Sequence, residues 1–323
     1  MNKGQVEVSF NWIFILIAGG AILFFFFMVI DFETEATEEE ISRTVGERMD
    51  SIFGTLSAGS GTYQSHDSVS FFLDFECDGA GNHLFRVNEG SSEVILESEV
   101  FFSPRTIGNG ELYTWTETFS KPMPISNVLY VSDQNTRYVF DDEVSHIQSN
   151  FPDVFETVEL DSFSDQGHDH HIFISEEDIN EGDIGGLDAE SYDIVIVGDE
   201  EITFKDEVDD GGESAGYIED ELLYGAVITG DKDIYACAKN KLLDQAVISY
   251  KIQENRTKSV LKDLEELSDT DACEIQYGGL YSNFKDLAES IVDLDHSDIE
   301  NNVEVLESAN DNIRGISECP TMY

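Results

Sequence analysis

The segment YDIVIVG, residues 192–198, carries the strongest fold signal in the chain. Its unbroken apolar, β-branched run is typical of a strand buried on both faces. A second apolar run, LLYGAVITG at residues 222–230, is predicted to be another buried strand. A short helix is predicted over 143–151 and a strand over 154–160. Helices alternating with buried strands predict a small three-layer α/β unit over residues 143–232.

Before this unit, residues 66–142 are predicted to form an antiparallel β region. Turn formers such as Asp78-Gly79 and Glu89-Gly90 separate short runs of apolar and β-branched residues. The runs cover residues 68–77, 82–87, 93–102, 111–119, 127–132 and 136–140. They predict one antiparallel sheet of about five or six strands.

After the α/β unit, residues 233–323 are predicted to be helical. A long helix is expected over 234–267, with Asp231 or Asp233 as its N-cap. Two shorter helices, 280–294 and 298–316, are expected to form a hairpin joined around Asp295 and His296. The predicted fold class is therefore α+β.

The amino-terminal part of the sequence predicts a membrane anchor. Residues 10–30 contain no charged side chain and, as a helix, span roughly 30 Å, the thickness of a hydrocarbon core. The run ends in Asp31-Phe32-Glu33, which offers no small-residue secretory cleavage site. Lys3 precedes the run, so residues 1–9 are predicted to be cytoplasmic and the body extracytoplasmic. The protein is therefore predicted to be a single-pass protein of the cell membrane, with residues 10–30 in contact with the lipid bilayer.

Helical spacing continues past the predicted membrane segment. Residues Ile41, Val45, Met49 and Phe53 recur at four-residue intervals. Residues 31–57 are therefore predicted to form a stalk that projects roughly 40 Å beyond the bilayer. Glycines and serines over residues 54–61 are predicted to form a hinge after it.

The charge composition indicates the solvent. The chain has 68 Asp and Glu against 17 Lys and Arg, a formal net charge of −51, yet 41% of its residues are hydrophobic. Such a chain can form a core, and molar salt, with a Debye length of roughly 3 Å, screens the repulsion. The sequence predicts a folded protein of an extreme halophile. The overall acidic composition predicts no nucleic-acid partner, because phosphate contacts require a basic face.

Four cysteines, Cys77, Cys237, Cys273 and Cys319, predict two disulfides in an oxidising compartment. Three pairings are possible. Cys273 and Cys319 flank the predicted helical hairpin, whose antiparallel geometry would bring them to one end, which leaves Cys77 for Cys237. Four buried free thiols are the alternative.

The most metal-like stretch contains His168, His170 and His171. Adjacent histidines in a strand point to opposite faces, so one site would need a further ligand from elsewhere. A solvated loop is the alternative interpretation. The acidic loop at residues 209–213 offers oxygen ligands but lacks the twelve-residue calcium-loop spacing.

No catalytic set or cofactor is predicted from the sequence. Gly198 follows a strand, but no glycine-rich fingerprint is present, and Asp199-Glu200-Glu201 would repel a phosphate. There is no Gly-x-Ser-x-Gly motif either. Asn255-Arg256-Thr257 is a possible glycosylation sequon, with chance occurrence as the alternative.

The start Lys3-Gly4-Gln5 resembles the class III signal peptide of archaeal prepilins, which is cleaved between Gly and Gln. The resemblance implies Gly4 and Gln5 as a processing site. That family usually has Glu at the fifth mature position, where this chain has Ser9, with Glu7 two residues earlier.

Three longer segments carry a broader resemblance. The start KGQ…SFNWIF, the stretch FFSPRTIGNGELYTWTETFSKPMPISNVLYVSDQNTRYVF and the stretch ELLYGAVITGDKDIYACAKNKL are similar to a group of uncharacterised single-pass membrane proteins of small-genome archaea. The expected function is an anchored, extracytoplasmic structural or protein-interaction component of a halophilic archaeal envelope, with envelope proteins as partners. The alternatives are a pilin-like subunit of a surface filament and an anchored ectoenzyme or ligand-binding module.

Overall fold

The computed structural model describes residues 43–59, 61–69, 71–78, 81–88, 93–96, 99–164, 167–266, 271–316 and 319. Within these residues the fold is mixed α+β, with several sheets and a C-terminal helical region. The described strands, in chain order, are β1 Thr62–Val69, β2 Leu73–Cys77, β3 His83–Val87, β4 Glu93–Leu96, β5 Val100–Phe102, β6 Thr106–Ile107, β7 Gly110–Ser120, β8 Pro124–Asp133, β9 Thr136–Phe140, β10 Glu156–Glu159, β11 His170–Ser175, β12 Tyr192–Val197, β13 Glu201–Lys205 and β14 Glu213–Gly216.

The strands form three sheets. The first has the order β1-β7-β8-β5, the second β4-β3-β2-β6 and the third β10-β9-β11-β12-β13-β14. Strand β5 is parallel to β8, and β10, β9, β11 and β12 are mutually parallel, whereas the other described pairs are antiparallel. The sequence predicted one antiparallel sheet, but these residues form two sheets, and the first of them includes the parallel pair β5 and β8. Strand β9, expected in that sheet, instead pairs in the third.

The described helices are α1 at 43–57, α2 Ser145–Gln148, α3 Glu219–Thr229, α4 Lys232–Glu265, α5 Asp271–Asp293 and α6 His296–Gly315. The predicted C-terminal helical region is confirmed, with α5 longer than expected. Asp231 caps α4 by accepting a hydrogen bond from the Ile234 amide, and Asp295 caps α6 through the Asp298 amide. Both carboxylates satisfy amides that a helix leaves without an internal partner.

The YDIVIVG segment forms β12, an interior strand of the third sheet, as predicted. Its side chains alternate between two cores. Val195 and Val197 belong to the main core, and Ile194 faces a smaller core on the opposite side of the sheet. Burial on both faces explains the unbroken apolar run.

The prediction of a strand over residues 222–230 is wrong, because this segment belongs to helix α3. Every residue from Leu222 to Thr229 is buried. Helix α3 contacts the first sheet through β5, β7 and β8 and the third sheet through β11. A helix enclosed between two sheets is apolar on all sides, so it lacks the one-sided periodicity that identifies a surface helix.

Helix α1 does not end in a free stalk, contrary to the prediction. Its Met49 and Phe53 are buried with Phe75, Phe85 and Phe101 of the first two sheets. The hinge predicted from residue 54 also begins too early, since the helix runs to residue 57. The last turns of the predicted stalk are therefore part of the folded body.

The predicted membrane helix at 10–30, the first part of the stalk and the processing residues Gly4 and Gln5 lie outside the described residues. None of the described helices combines the length and the apolar composition needed to cross a bilayer.

Candidate ligand-binding cleft

A cleft of about 590 Å³ lies between the loop before β6 and the third sheet. It is bounded by the amino ends of the parallel strands β9, β11 and β12 and by the start of α4, and its lining includes Arg105, His170, Asp193 and Asp231. Ligands of open α/β sheets bind at the carboxyl ends of the strands. This cleft is at the opposite edge, where the third sheet meets the rest of the fold. Its volume is within the range of small-molecule sites.

An ion pair connects the two walls of the cleft. The Arg105 guanidinium donates from Nη2 and Nε to Oδ2 of Asp231, at 2.5 and 2.9 Å. Asp231 uses its other oxygen to cap α4. Burial alone would lower the pKa of Arg105, but the hydrogen bonds to Asp231 and its charge raise it. The pair therefore fixes the start of α4 against the loop that precedes β6.

His170 and Asp193 form the second hydrogen-bonded pair of side chains in the cleft. Nε2 of His170 lies 2.8 Å from Oδ2 of Asp193, on the neighbouring strand. Gly230, the αL residue that ends α3, lies directly against this pair, and a Cβ atom there would come within 2.9 Å of Oδ2 of Asp193. The end of α3 can approach the pair this closely because residue 230 has no side chain.

Asp206 adds a carboxylate just after β13. Burial and the nearby carboxylates of Asp193 and Asp231 raise its pKa, while Arg105 opposes them. Negative charge therefore exceeds positive charge in this part of the cleft. A positively charged group entering it would relieve the repulsion between the carboxylates.

The rim of the cleft combines a fixed turn with aromatic surface. The buried Asp133 carboxylate accepts hydrogen bonds from the amides of Gly108, Asn135 and Thr136, which holds the β8–β9 turn in place. Phe72, 49% exposed, and Tyr192 also line the cleft. Carboxylates with the exposed Phe72 side chain nearby suit an organic cation better than a small anion.

Of the three histidines considered as metal ligands, His168 and His171 have rings 6.2 Å apart, centroid to centroid, whereas His170 has a partner in the cleft. His170 pairs with Asp193, whereas His168 Nε2 lies 2.6 Å from Nη2 of Arg137. His171 is fully buried between the rings of Phe163 and Phe173. Among the described residues, no group of three or more His, Cys, Asp or Glu side chains could hold a metal ion. The histidines therefore do not converge on one site.

The two acidic loops considered in the sequence have structural partners. Glu213 pairs with Lys232 of α4, and Gly212 adopts a positive φ of 68° in the loop before β14. Gly198 donates its amide to the Glu201 carbonyl at 2.8 Å, so residues 198–201 are the turn of the β12–β13 hairpin.

Two disulfides join all four cysteines of the chain. Cys77 of β2 bonds to Cys237 of α4, and Cys273 of α5 bonds to Cys319 beyond α6. These are the two pairs expected from the sequence. The first bond attaches α4 to the second sheet, and the second closes the α5–α6 hairpin. Asn255 of the sequon is exposed on α4, where its side chain donates to the Lys251 carbonyl at 2.8 Å.

His83 is a buried titratable group that the sequence analysis missed. It pairs with Cys77 across β2 and β3, is fully buried, and neither ring nitrogen has a hydrogen-bond partner among the described residues. Burial and the charge of Lys241 lower its pKa to about 4. The histidine is therefore neutral in the folded protein at neutral pH. Within the sequence HLFRV it had no feature that marked it as buried.

The cleft residues were also missed, because they come from distant parts of the sequence. The one feature of the sequence that could have pointed to the cleft is Arg105, because the chain has only 17 Lys and Arg residues and a net charge of −51. In so acidic a chain, a cation is a candidate partner for many carboxylates, and the fold is needed to identify Asp231. Comparison of the chain with family models, with curated proteins and with solved structures gives no match.

Proposed function

We propose that the protein is a membrane-anchored, extracytoplasmic component of a halophilic archaeal cell envelope, with a structural or protein-interaction role. Residues 10–30 would be its single transmembrane helix, continuing as a helix into α1, with residues 1–9 in the cytoplasm. Because Met49 and Phe53 are buried in the body, the connection between anchor and body is shorter than a free stalk to residue 57.

The observation that carries this proposal is the pair of disulfides. Cys77 and Cys237 are 160 residues apart, and Cys273 and Cys319 are 46 residues apart. Disulfides persist in oxidising compartments and are rare in the cytosol of most organisms. Two bonds that attach a long helix to a sheet and close a helical hairpin support an extracytoplasmic body.

Membrane attachment is tested by washing native membranes with alkaline carbonate. The full-length protein should stay in the pellet, and a variant lacking residues 10–30 should leave it. Release of the full-length protein into the supernatant would contradict the anchor.

The acidic composition supports the halophilic environment. Full-length protein in mild detergent should lose its native circular dichroism as salt falls below roughly 0.5–1 M, because screening of its surface repulsion weakens. A spectrum unchanged from millimolar to molar salt would remove this part of the proposal.

The pilin-like alternative is supported by the resemblance of residues 3–5 to class III signal peptides. Amino-terminal sequencing of the protein from native envelopes distinguishes a processed pilin-like subunit from a permanently anchored protein. A mature end at Gln5 favours the pilin-like subunit, whereas retained Met1 or Asn2 favours the permanent anchor.

A ligand-binding role is the second candidate function, and the cleft favours it. Asp193, Asp206 and Asp231 converge in a cavity walled by Phe72 and Tyr192. This chemistry fits a small organic cation, for which a linear polyamine is a suitable probe. Calorimetry should show saturable binding to the full-length protein that Asp193→Asn combined with Asp206→Asn weakens. Asp209→Asn is the matched control, and equal binding by all three proteins would exclude the cleft.

A further inference from the structure

The second half of α4 has the opposite charge to the rest of the protein. Residues 248–262 contain four basic side chains and one acidic side chain, in a chain with 68 acidic and 17 basic residues. The chain as a whole is strongly acidic, so a segment with a basic excess is unusual in it. The basic excess therefore marks a distinct surface.

Three of these basic side chains lie along one line of the helix. Lys251, Asn255, Lys258 and Lys262 have i, i+4, i+7, i+11 spacing, which places them on one face of α4. We call these four residues the basic row. All four are exposed, and in the described part of the chain none of the three lysines forms an ion pair.

The basic row borders apolar surface and a shallow groove. Ile248 and Ile252 of α4 are 58% and 60% exposed. The groove, about 510 Å³, is formed by Lys258 and Lys262 of the row with Tyr281 of α5. Exposed apolar side chains bordered by charged ones have the arrangement of an interaction surface, in which a polar rim surrounds an apolar centre.

Helix α6 carries an acidic row of the same spacing. Glu300, Glu304, Glu307 and Asp311 also follow the i, i+4, i+7, i+11 pattern, and all four are exposed. We call these residues the acidic row. One of them, Asp311, lies 3.6 Å from Arg314 of its own helix. The two rows therefore have the same residue spacing and are opposite in charge.

The two rows belong to different helices of the C-terminal region. Helix α5 packs against both α4 and α6, and no ion pair in the described residues joins the basic row to the acidic row of the same molecule. Both rows are thus available to another molecule.

We propose that the basic row of one molecule docks on the acidic row of a second copy of this chain. Each copy would then use two different surfaces, so the contact is heterologous and repeats into a ring or an open array. This inference rests on the proposed interaction role and identifies the partner as a second copy of the chain. The carbonate wash tests the anchor and the experiment below tests the contact, so either can fail alone.

High salt allows such a contact between two strongly acidic molecules. With a Debye length of roughly 3 Å at 1 M salt, long-range repulsion between the copies is screened, while charges in direct contact are screened less. Burial of Ile248 and Ile252 adds an apolar contribution that salt does not weaken.

The test measures self-association of the full-length protein in mild detergent by sedimentation velocity, at the lowest salt that retains the native circular dichroism. One variant reverses the basic row, with Lys251→Glu, Lys258→Glu and Lys262→Glu. A second reverses the acidic row, with Glu300→Lys, Glu304→Lys and Glu307→Lys. For each variant alone, the dissociation constant of self-association should rise by at least about tenfold. This is the size of effect expected when three exposed ion pairs are lost together.

Mixing the two variants restores opposite charges at both contacts, so association should return to the wild-type level. Lys285→Glu, on the exposed face of α5, is the control and should leave association unchanged. Intact disulfides by mass spectrometry show that each variant is folded. A monomeric wild-type protein, or two weakened variants that the mixture does not restore, overturns the proposal. The second result would assign the basic row to another anionic partner, such as a different acidic protein or a lipid surface.

Discussion

Around α3, large aromatic side chains fill the space between sheets, whereas α5 and α6 are joined along a narrow apolar stripe. In the first region, the Tyr130 ring lies 4.6 Å from Trp115 and 5.8 Å from Phe102, centroid to centroid. In the second, the fully buried side chains of α5, at three- and four-residue spacing, are Tyr277, Leu280, Phe284, Leu287 and Ile291. The outer face of α5 leaves Ile275 72% exposed.

This difference indicates two sources of stability. Dense packing between layers makes the sheet region sensitive to any change in core volume. The helical hairpin has, besides its packing, two local supports: Asp295 caps α6, and the Cys273–Cys319 disulfide closes the hairpin. Perturbations of the two regions should therefore differ in size, extent and, in one case, sign.

Removal of each disulfide gives the largest expected effects. Loop closure across the 160-residue separation of Cys77 and Cys237 corresponds to about 5 kcal/mol, and across the 46 residues from Cys273 to Cys319 to about 4 kcal/mol. Replacing Cys77 and Cys237 by Ser should lower global stability in denaturant unfolding. Replacing Cys273 and Cys319 by Ser should first increase hydrogen exchange in α5 and α6. Equal acceleration of exchange throughout both variants would show that the regions are not distinct.

Acid sensitivity should come next, from His83 in the sheet region. Its pKa falls from 6.5 to about 4 on folding, so the unfolded chain binds the proton more readily than the folded protein between these values. The free energy of unfolding therefore has its full value above pH 6.5. It decreases by roughly 3 kcal/mol as the pH falls from 6.5 toward 4, because protonation of His83 favours the unfolded chain.

His83→Leu should reduce this loss relative to the wild type, measured as the change in free energy of unfolding between pH 7 and pH 4.5. His296→Gln, at the start of α6, is the control in the helical region. An unchanged pH dependence in His83→Leu would mean that His83 is not buried in its neutral form.

The smallest effects should have opposite signs in the two regions. A Cβ atom at Gly225 of α3 would lie 2.7 Å from the buried Phe102 ring, so Gly225→Ala should destabilise the protein by about 1–3 kcal/mol despite its better helix propensity. At Gly278 of α5 a Cβ atom meets nothing within 4 Å, and Gly278→Ala should stabilise α5 by up to about 1 kcal/mol. Thermal unfolding of both variants gives the comparison. Loss of stability in Gly278→Ala would show that α5 has a partner on that face.

The sequence predicted those helices and strands whose pattern of apolar residues follows directly from which of their faces are buried. Residues 136–140 match β9, and the α5–α6 junction falls at Asp295, which caps α6. It failed at α3, because a helix enclosed between two sheets has no polar face. It also failed at α1, since Met49 and Phe53 show helical spacing but not the sheet against which they pack.

The site was less accessible to sequence reasoning than the fold. Arg105 and Asp231 are 126 residues apart, and only the packing of α4 against the loop before β6 brings them together. The sequence places Asp193 within an apolar strand, although in the structure its side chain lines the cleft and pairs with His170. The disulfides could be predicted, because the helical hairpin expected from the sequence brings Cys273 and Cys319 to the same end and leaves Cys77 for Cys237.

The most direct test of the extracytoplasmic body is peptide mapping of non-reduced protein from native envelopes, with free thiols alkylated during lysis. We expect two linked peptide pairs, Cys77 with Cys237 and Cys273 with Cys319, and no alkylated cysteine. Recovery of all four cysteines as alkylated thiols would contradict the oxidising compartment, and with it the proposed location of the body.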